Sequence, residues 1–294
     1  MVSTAAVIYL ASLLASHPVA GFPATPHDLS GMADLKCSGA LVHLNRDADQ
    51  PAVLLTNGHC VTKRDIAAGD AVVNGTYSGS DINLFSGAKG SDGVKAARIL
   101  YATETVFDIA LVELKATYRE LGTEGAFVYD ISDTDAKLDS DVQMVAGSVK
   151  QKQLCGISHI VPLLIEDETS TMDAYAMKEP CASSDKWFGA PMVDPTTLKI
   201  VGILNTTNSD GKLCTSGNPC EVDAAGDRAA FQGRTYGQRV SPILDCVSKY
   251  GQIDLSLPNC KLTKPKSRGG PVPPGPSGSK PARSFWPKLR NESR

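Results

Sequence analysis

Short apolar runs separated by turn-forming clusters dominate the chain. Residues 39–45, 52–57, 96–102 and 108–115 are four such runs, set off by Asn45-Arg46-Asp47, Asn74-Gly75 and Ser91-Asp92-Gly93. Their length and their Val, Leu and Ile content predict strands rather than helices, because such side chains suit a pleated, half-buried surface. A polar stretch from Glu120 to Lys137 predicts a link between two halves. A second series of apolar runs follows at 141–147, 153–164, 190–193, 198–204 and 235–240. Helical periodicity is sustained only from Ser241 to Gly251, where Ser241 is placed to cap, Pro242 takes the first helical position and Gly251 stops the helix. Many short strands and one C-terminal helix point to an all-β chain of paired antiparallel barrels.

The two ends break this pattern. Ala5–Ala15 is an apolar run followed by His17-Pro18 and small residues to Gly21. It is short for a bilayer span and matches the core of a secretory signal, although no Lys or Arg precedes it; a buried N-terminal helix is the alternative. From Thr263 to Arg294 the chain is rich in Pro, Gly and basic residues and offers nothing to pack into a core. The expected organisation is a signal peptide over 1–21, a double-barrel domain over 33–250 and a disordered basic tail over 263–294. Such a tail is either a solvated end or a contact for acidic surfaces.

Charge sharpens the picture. The 294 residues carry a formal net charge of -3, yet from Lys261 onward there are nine Lys/Arg and one acidic residue, which leaves the preceding body at -11. An acidic body argues against nucleic acid as the main partner, since phosphate binding needs concentrated positive charge. The expected partner is a protein or peptide, with no stable membrane span; the sequence leaves the oligomeric state open. Eight cysteines, an even number with no C-x-x-C pair, predict disulfides and an oxidising, extracellular location rather than a metal site. Proximity in sequence pairs Cys155 with Cys181, Cys214 with Cys220, and Cys246 with Cys260. No metal and no cofactor is expected. Asn74-Gly75-Thr76, Asn205-Thr206-Thr207 and Asn291-Glu292-Ser293 match the N-glycosylation pattern, which is common by chance.

Candidate chemistry sits at two of the strand ends. His59 closes Thr56-Asn57-Gly58-His59-Cys60, directly after the apolar run Val53-Leu54-Leu55. A lone histidine is usually structural; this one gains weight from its strand-end turn and the adjacent cysteine. Asp108 lies between Phe107 and the run Ile109-Ala110-Leu111-Val112, where a carboxylate is costly to bury unless hydrogen bonds compensate it. Together with Cys37-Ser38-Gly39, these segments resemble the histidine, aspartate and first-disulfide segments of chymotrypsin/trypsin-like serine proteases. The resemblance spans about residues 33 to 250. It implies two antiparallel six-stranded β-barrels with a C-terminal helix and a Cys37–Cys60 disulfide. It also implies a His59–Asp108 pair in which the aspartate holds the imidazole ready to accept a nucleophile's proton.

The third segment departs from that family. Where its members typically read G-D-S-G-G-P, this chain reads Lys186-Trp187-Phe188-Gly189-Ala190-Pro191. Counting back from Pro191 puts Phe188 at the nucleophile position, and a benzyl group has no lone pair with which to attack a carbonyl. Lys186 stands where the family's glycine donates a backbone N–H to the oxyanion. In such enzymes, loss of the nucleophile alone costs roughly a million-fold in turnover. Ser183 and Ser184 are the alternative nucleophiles, but using either would shift the register of the Gly189–Pro191 turn. The resemblance further implies that Leu204, Asn205 and Thr206 lie on a strand that binds an extended peptide through its main chain, which needs no catalytic serine. Ala182 falls near the base of the family's specificity pocket. No Arg-Ile-Val-Gly-Gly activation segment precedes Cys37.

Three functions follow. The first is a secreted, inactive protease homologue that binds a protein or peptide. The second is an active endopeptidase using another serine. The third is an interaction module in which the loops or tail act and the cleft does not.

Overall fold

The computed structural model describes residues 29–266 apart from 63–64, 87–88 and 182–183. The expected signal peptide, Ala182, Ser183, Asn291 and all but the first residues of the basic tail lie outside the described residues.

The first sheet contains β1 (Met32–Asp34), β2 (Ser38–His43), β3 (Pro51–Thr56), β4 (Val72–Gly75), β5 (Ile82–Ser86), β6 (Lys89–Val94), β7 (Ala96–Thr103) and β8 (Ile109–Thr117). It runs in the order β4-β7-β8-β3-β2-β1-β5-β6, an open half-barrel of antiparallel neighbours. A short β9 (Tyr129–Asp130) adds to it, pairing in parallel with β2. The second sheet contains β10 (Asp141–Ala146), β11 (Gln151–Glu166), β12 (Thr169–Met177), β13 (Pro191–Val193), β14 (Ile200–Thr207), β15 (Cys220–Val222), β16 (Arg228–Ala229) and β17 (Thr235–Arg239). Six of these close a ring, β10-β13-β14-β17-β12-β11 and back to β10, with β15 and β16 appended to β11. The fold is therefore all-β and built from two antiparallel sheets. Its strand count exceeds six per unit because short hairpins extend both sheets. Among the described residues, no helix is long and apolar enough to cross a membrane.

Three of the four apolar clusters among the described residues hold most of this arrangement, the fourth being a small one around Val161, Leu164 and Tyr236. One fills the first sheet with Leu41, Leu54, Val112 and their neighbours, and another fills the second with Met144, Ile157 and Met192. The largest lies between them and mixes Val53, Tyr101 and Leu111 with Val193, Ile203 and Ile243. A continuous apolar interface welds the two sheets, because burial on this scale outweighs the entropy of fixing one sheet against the other. The stretch between the sheets is not purely polar linker. Tyr118–Thr123 forms a helix, α1, capped by Thr117 and Glu120 in a reciprocal capping box. Beyond it, Ile131 bridges to Ile200, and Ser132 N–H donates to the Ile200 carbonyl.

The expected C-terminal helix is shorter and of a different kind. Ser241–Cys246 forms a 3₁₀ helix, and Val247 turns extended to bridge Ile253. The Ser241 hydroxyl donates to Asp135 instead of capping the helix. The Cys246–Cys260 disulfide and the turn at Gly251 draw the chain back on itself, which an α-helix to residue 251 would not permit. All four pairings named above are present: Cys37–Cys60, Cys155–Cys181, Cys214–Cys220 and Cys246–Cys260. Of the glycosylation patterns, Asn205 is buried and its amide donates to Thr171, leaving no room for a glycan, whereas Asn74 is exposed.

A buried charge network pins the returning C-terminal segment to the first sheet. Arg46 donates from Nε to the Gly251 carbonyl at 2.9 Å and from Nη1 to Glu113 Oε2 at 2.9 Å, and Arg98 Nε reaches Glu113 Oε1 at 2.8 Å. Arg46 and Glu113 are 8% and 9% exposed. Removing one partner of such a pair leaves the other charged and unpaired in the interior. Glu113→Ala is therefore expected to lower unfolding stability by roughly 3 kcal/mol in a urea titration, and Glu113→Gln by less. A loss of under about 0.5 kcal/mol for Glu113→Ala would contradict this account.

Candidate functional site

The turn after β3 is built around a close backbone approach. A Cβ at Gly58 would stand 2.1 Å from the Thr103 carbonyl oxygen, so only glycine lets this turn sit against the end of β7. The turn, Gly58–Cys60, is one 3₁₀ step that presents His59 at the mouth of the junction between the sheets. Asp108, at the start of β8, is 8% exposed and lies directly beneath it. Its Oδ2 is 2.6 Å from His59 Nδ1, and its Oδ1 accepts the backbone N–H groups of Gly58 at 2.7 Å and His59 at 3.2 Å. The Asp108 main chain is held as well. Its carbonyl accepts from Asn57 Nδ2 at 2.8 Å, and its N–H donates to Gln238 Oε1 at 2.6 Å, across from β17.

About a third of the His59 side chain reaches solvent. Burial of the rest opposes protonation. The Asp108 charge and hydrogen bond, helped by Glu104 and Glu166, more than offset this and raise the imidazole above its ordinary pKa. The only neighbour of His59 Nε2 within hydrogen-bonding range among the described residues is Cys37 Sγ at 3.9 Å. Cys37, His59 and Cys60 are close together, but both sulfurs are spent in a disulfide and offer no thiolate to a metal.

Phe188 packs beside the imidazole. Its ring meets the imidazole edge to face, with centroids 5.8 Å apart and planes at 86°. The ring is half-buried and packs against the apolar clusters of both sheets. The backbone groups of Phe188 itself are both engaged. Phe188 N–H donates to the Asp185 carbonyl at 3.3 Å, closing a 3₁₀ turn over Asp185–Trp187, and the Phe188 carbonyl accepts Ser38 N–H at 2.7 Å. Lys186 is exposed, and its carbonyl accepts the hydroxyls of Ser38 and Ser148. Gly189 takes a φ of +80°, and a Cβ there would lie 2.1 Å from the Ser38 carbonyl oxygen. Ser184 is exposed just before the turn and makes no hydrogen bond to His59.

Leu204, Asn205 and Thr206 line the far side of the same junction. Leu204 is paired on both edges, to Gly189 and Ala190 on one side and to Gly237 on the other. Beyond it β14 pairs only with β17, at Thr206 and Thr207. The open edge is narrower than a three-residue binding strand, and it is partly covered: Asn205 Nδ2 donates to Thr171 Oγ1 at 3.2 Å and Thr206 Oγ1 to Glu166 Oε2 at 2.6 Å. These partners come from the β11–β12 hairpin, which also fastens to the loop before Asp108. Val106 N–H donates to the Ser170 carbonyl at 2.7 Å and the Val106 carbonyl accepts Met172 N–H at 3.1 Å. Val106 takes a φ of +71°, a strained conformation for a β-branched residue, so this fastening overrides local preference.

Between His59 and the hairpin lies a cavity of about 370 Å³. Its walls carry the carboxylates of Asp65, Glu104, Asp108, Glu166, Asp167 and Glu168, and no Lys or Arg among the described residues. Burial raises Glu104 to about 7 and raises Glu166 above the usual carboxylate range. Sequence reasoning missed Glu104, Glu166 and Gln238. They come from three distant segments and form no spacing pattern, and Glu166-Asp167-Glu168 reads by itself as an ordinary acidic turn.

The histidine gives the sharpest test of this geometry. Its imidazole is expected to titrate above the ordinary value near 6.5 in an NMR pH series. Asp108→Asn removes the charge that holds the proton and leaves burial unopposed, so the midpoint should fall below that of the parent by about a unit or more. An unchanged midpoint would contradict the pairing.

Comparisons with known proteins place similar folds beside this one. The chain is similar to the protease domain of MamO from Magnetospirillum magneticum, at 12% identity and a TM-score of 0.45, over 72% of this chain and 93% of that one. It is similar to the inactive form of the Rv3671c protease of M. tuberculosis, at 10% identity and a TM-score of 0.43, over 72% and 85% of the two chains. It is also similar to kallikrein-related peptidase 10 in complex with Zn²⁺, at 12% identity and a TM-score of 0.43, over 74% and 93%. No family model matches the sequence, and no curated protein matches it.

Proposed function

We propose that this chain is a secreted homologue of trypsin-like serine proteases that does not hydrolyse peptide bonds and acts by binding a protein or peptide in the cleft between its sheets. The observation that carries the reading is the Phe188 ring set edge-on to His59, where a hydroxyl would have to stand for the imidazole to take its proton. The backbone supports the same reading. An oxyanion site needs N–H groups free to point at developing charge, and the Phe188 N–H is committed to the Asp185 carbonyl. Four disulfides suit an extracellular chain. In this proposal His59 and Asp108 are a remnant catalytic pair, Phe188 fills the nucleophile position and Lys186 the oxyanion position. A ligand enters the cavity bounded by His59 and by Asn205 and Thr206. It relies on side-chain contacts more than on a long strand pairing, since Leu204 is already paired on both edges.

The intact His59–Asp108 hydrogen bond favours one rival, a working endopeptidase that draws on another serine. A fluorophosphonate probe separates the two. The purified chain is expected to take up no label, whereas covalent labelling of any serine would favour the rival.

Reconstruction offers a second test. Phe188→Ser alone should restore little turnover of an activated ester, because the 186–188 backbone stays in its closed turn. Phe188→Ser with Lys186→Gly gives that backbone the freedom to open and should turn over about tenfold faster or more. Equal turnover of the two variants would contradict the role given to position 186.

A further inference from the structure

Asparagine is followed by glycine twice in the chain, at Asn57-Gly58 and at Asn74-Gly75. This dipeptide is the one best suited to lose its side-chain ammonia spontaneously. Glycine leaves the next backbone nitrogen unshielded and free to turn toward the asparagine Cγ. The fold treats the two copies in opposite ways.

At Asn57-Gly58 both nitrogens are tied down in the interior. Asn57 is fully buried. Its Nδ2 donates to the Asp108 carbonyl at 2.8 Å, and the Gly58 N–H donates to Asp108 Oδ1 at 2.7 Å. Turning that N–H toward Cγ would strip a buried carboxylate of a hydrogen bond it cannot replace with water.

At Asn74-Gly75 none of this protection is present. Asn74 is exposed, and its Nδ2 donates no hydrogen bond among the described residues. Its Oδ1 accepts from Arg98 Nη1 at 2.9 Å, and Arg98 is itself held by Glu113. A guanidinium on the amide oxygen draws electron density away from Cγ and favours negative charge developing there. The strand that carries the pair, β4, is four residues long and lies at the end of the first sheet, bonded to β7 alone. Such an edge opens locally at small cost, which frees Gly75 from its pairing with Ile99.

The backbone explains why the pair stands there. Asn74 takes a φ of +51°, a left-handed conformation that asparagine tolerates better than most residues. A Cβ at Gly75 would lie 2.2 Å from Val72 Cγ1. Both residue types are thus demanded by the turn of the strand.

We infer that Asn74 is a site of spontaneous deamidation in the folded chain, with water as the only co-reactant. The Gly75 nitrogen, having given its proton to solvent, attacks Asn74 Cγ and forms a N–Cγ bond. The Cγ–Nδ2 bond breaks, Nδ2 takes up a proton, and ammonia leaves behind a succinimide ring. Water then opens the ring. Attack at Cγ gives aspartate; attack at the main-chain carbonyl breaks its bond to the Gly75 nitrogen and gives isoaspartate, with the chain running through the former side chain. Either product adds a negative charge beside Arg98, and isoaspartate also lengthens the backbone of β4 by one carbon. Because the attacking nitrogen must first lose a proton, conversion quickens as pH rises. The inference is independent of whether the chain is secreted or hydrolyses peptides.

The test incubates the full chain, made in bacteria so that Asn74 carries no glycan, in mildly alkaline buffer prepared with heavy-oxygen water. The heavy oxygen marks carboxylates formed during the incubation, and mass analysis of the digested chain resolves Asn74 from Asn57. Isoaspartate is identified by its acceptance of a methyl group from an isoaspartyl methyltransferase. In the folded chain Asn74 is expected to convert about tenfold faster than Asn57, or more. In concentrated guanidinium chloride the two rates should converge to within about twofold, since the protection of Asn57 comes from the fold. An unconverted Asn74, or equal rates at the two sites in the folded chain, would overturn the inference. A difference that persists undiminished in denaturant would also overturn it, by assigning the contrast to local sequence. Converted chain, separated by its extra charge on ion exchange, should keep the parent's His59 titration midpoint. A shifted midpoint would contradict the confinement of the change to the sheet edge.

Discussion

Asp108 is the constraint on which the site depends. Every polar group of this residue is engaged, and its partners come from three places: the turn after β3, the side chain of Asn57 and Gln238 on β17 of the other sheet. A buried carboxylate persists only when hydrogen bonds replace the water it has lost, and Asp108 gains them by ordering the backbone around His59. The histidine is placed as a consequence. The Asp108 N–H also joins the two sheets through Gln238, so the residue has a structural role whether or not chemistry follows from it.

Position 188 obeys the same logic in apolar form. The Phe188 ring touches the cores of both sheets as well as the imidazole, so it fills a junction that a serine would leave open. Its flanks are fixed by tight backbone packing, with Gly189 in a left-handed conformation against Ser38 and the Phe188 carbonyl bonded to the Ser38 amide. This tight backbone frame closes around an aromatic plug. What remains open is the acidic cavity on the other side of His59, bounded by the β11–β12 hairpin.

Much of this was legible in the residues, for identifiable reasons. Long apolar runs such as 108–115 and 198–204 announced strands because a half-buried or buried strand must be apolar along its length. The His59–Asp108 hydrogen bond was anticipated chiefly from the resemblance of their two segments to those of a protease family, since a lone histidine at a strand end is a weak signal. Other features were hidden. Helix α1 lies in a polar stretch, and its signal was the Thr117-to-Glu120 capping box rather than any hydrophobic period. Short edge strands such as β4 and β6 have too few residues to show alternation. The C-terminal helix was misjudged because the Cys246–Cys260 link and the Val247–Ile253 bridge, both tertiary, end it early. The acid cavity was invisible because Glu104 and Glu166 meet only when the hairpin crosses to the loop before Asp108, an encounter that depends on the strained Val106.

The central claim is that an aromatic ring, not a hydroxyl, faces the imidazole at this junction. Proton–proton Overhauser contacts in the folded chain, labelled selectively at Phe and His, measure it directly. The account predicts cross-peaks between the ring protons of Phe188 and the carbon-bound imidazole protons of His59. Absence of those contacts, together with a serine hydroxyl proton close to Nε2 of His59, would contradict it.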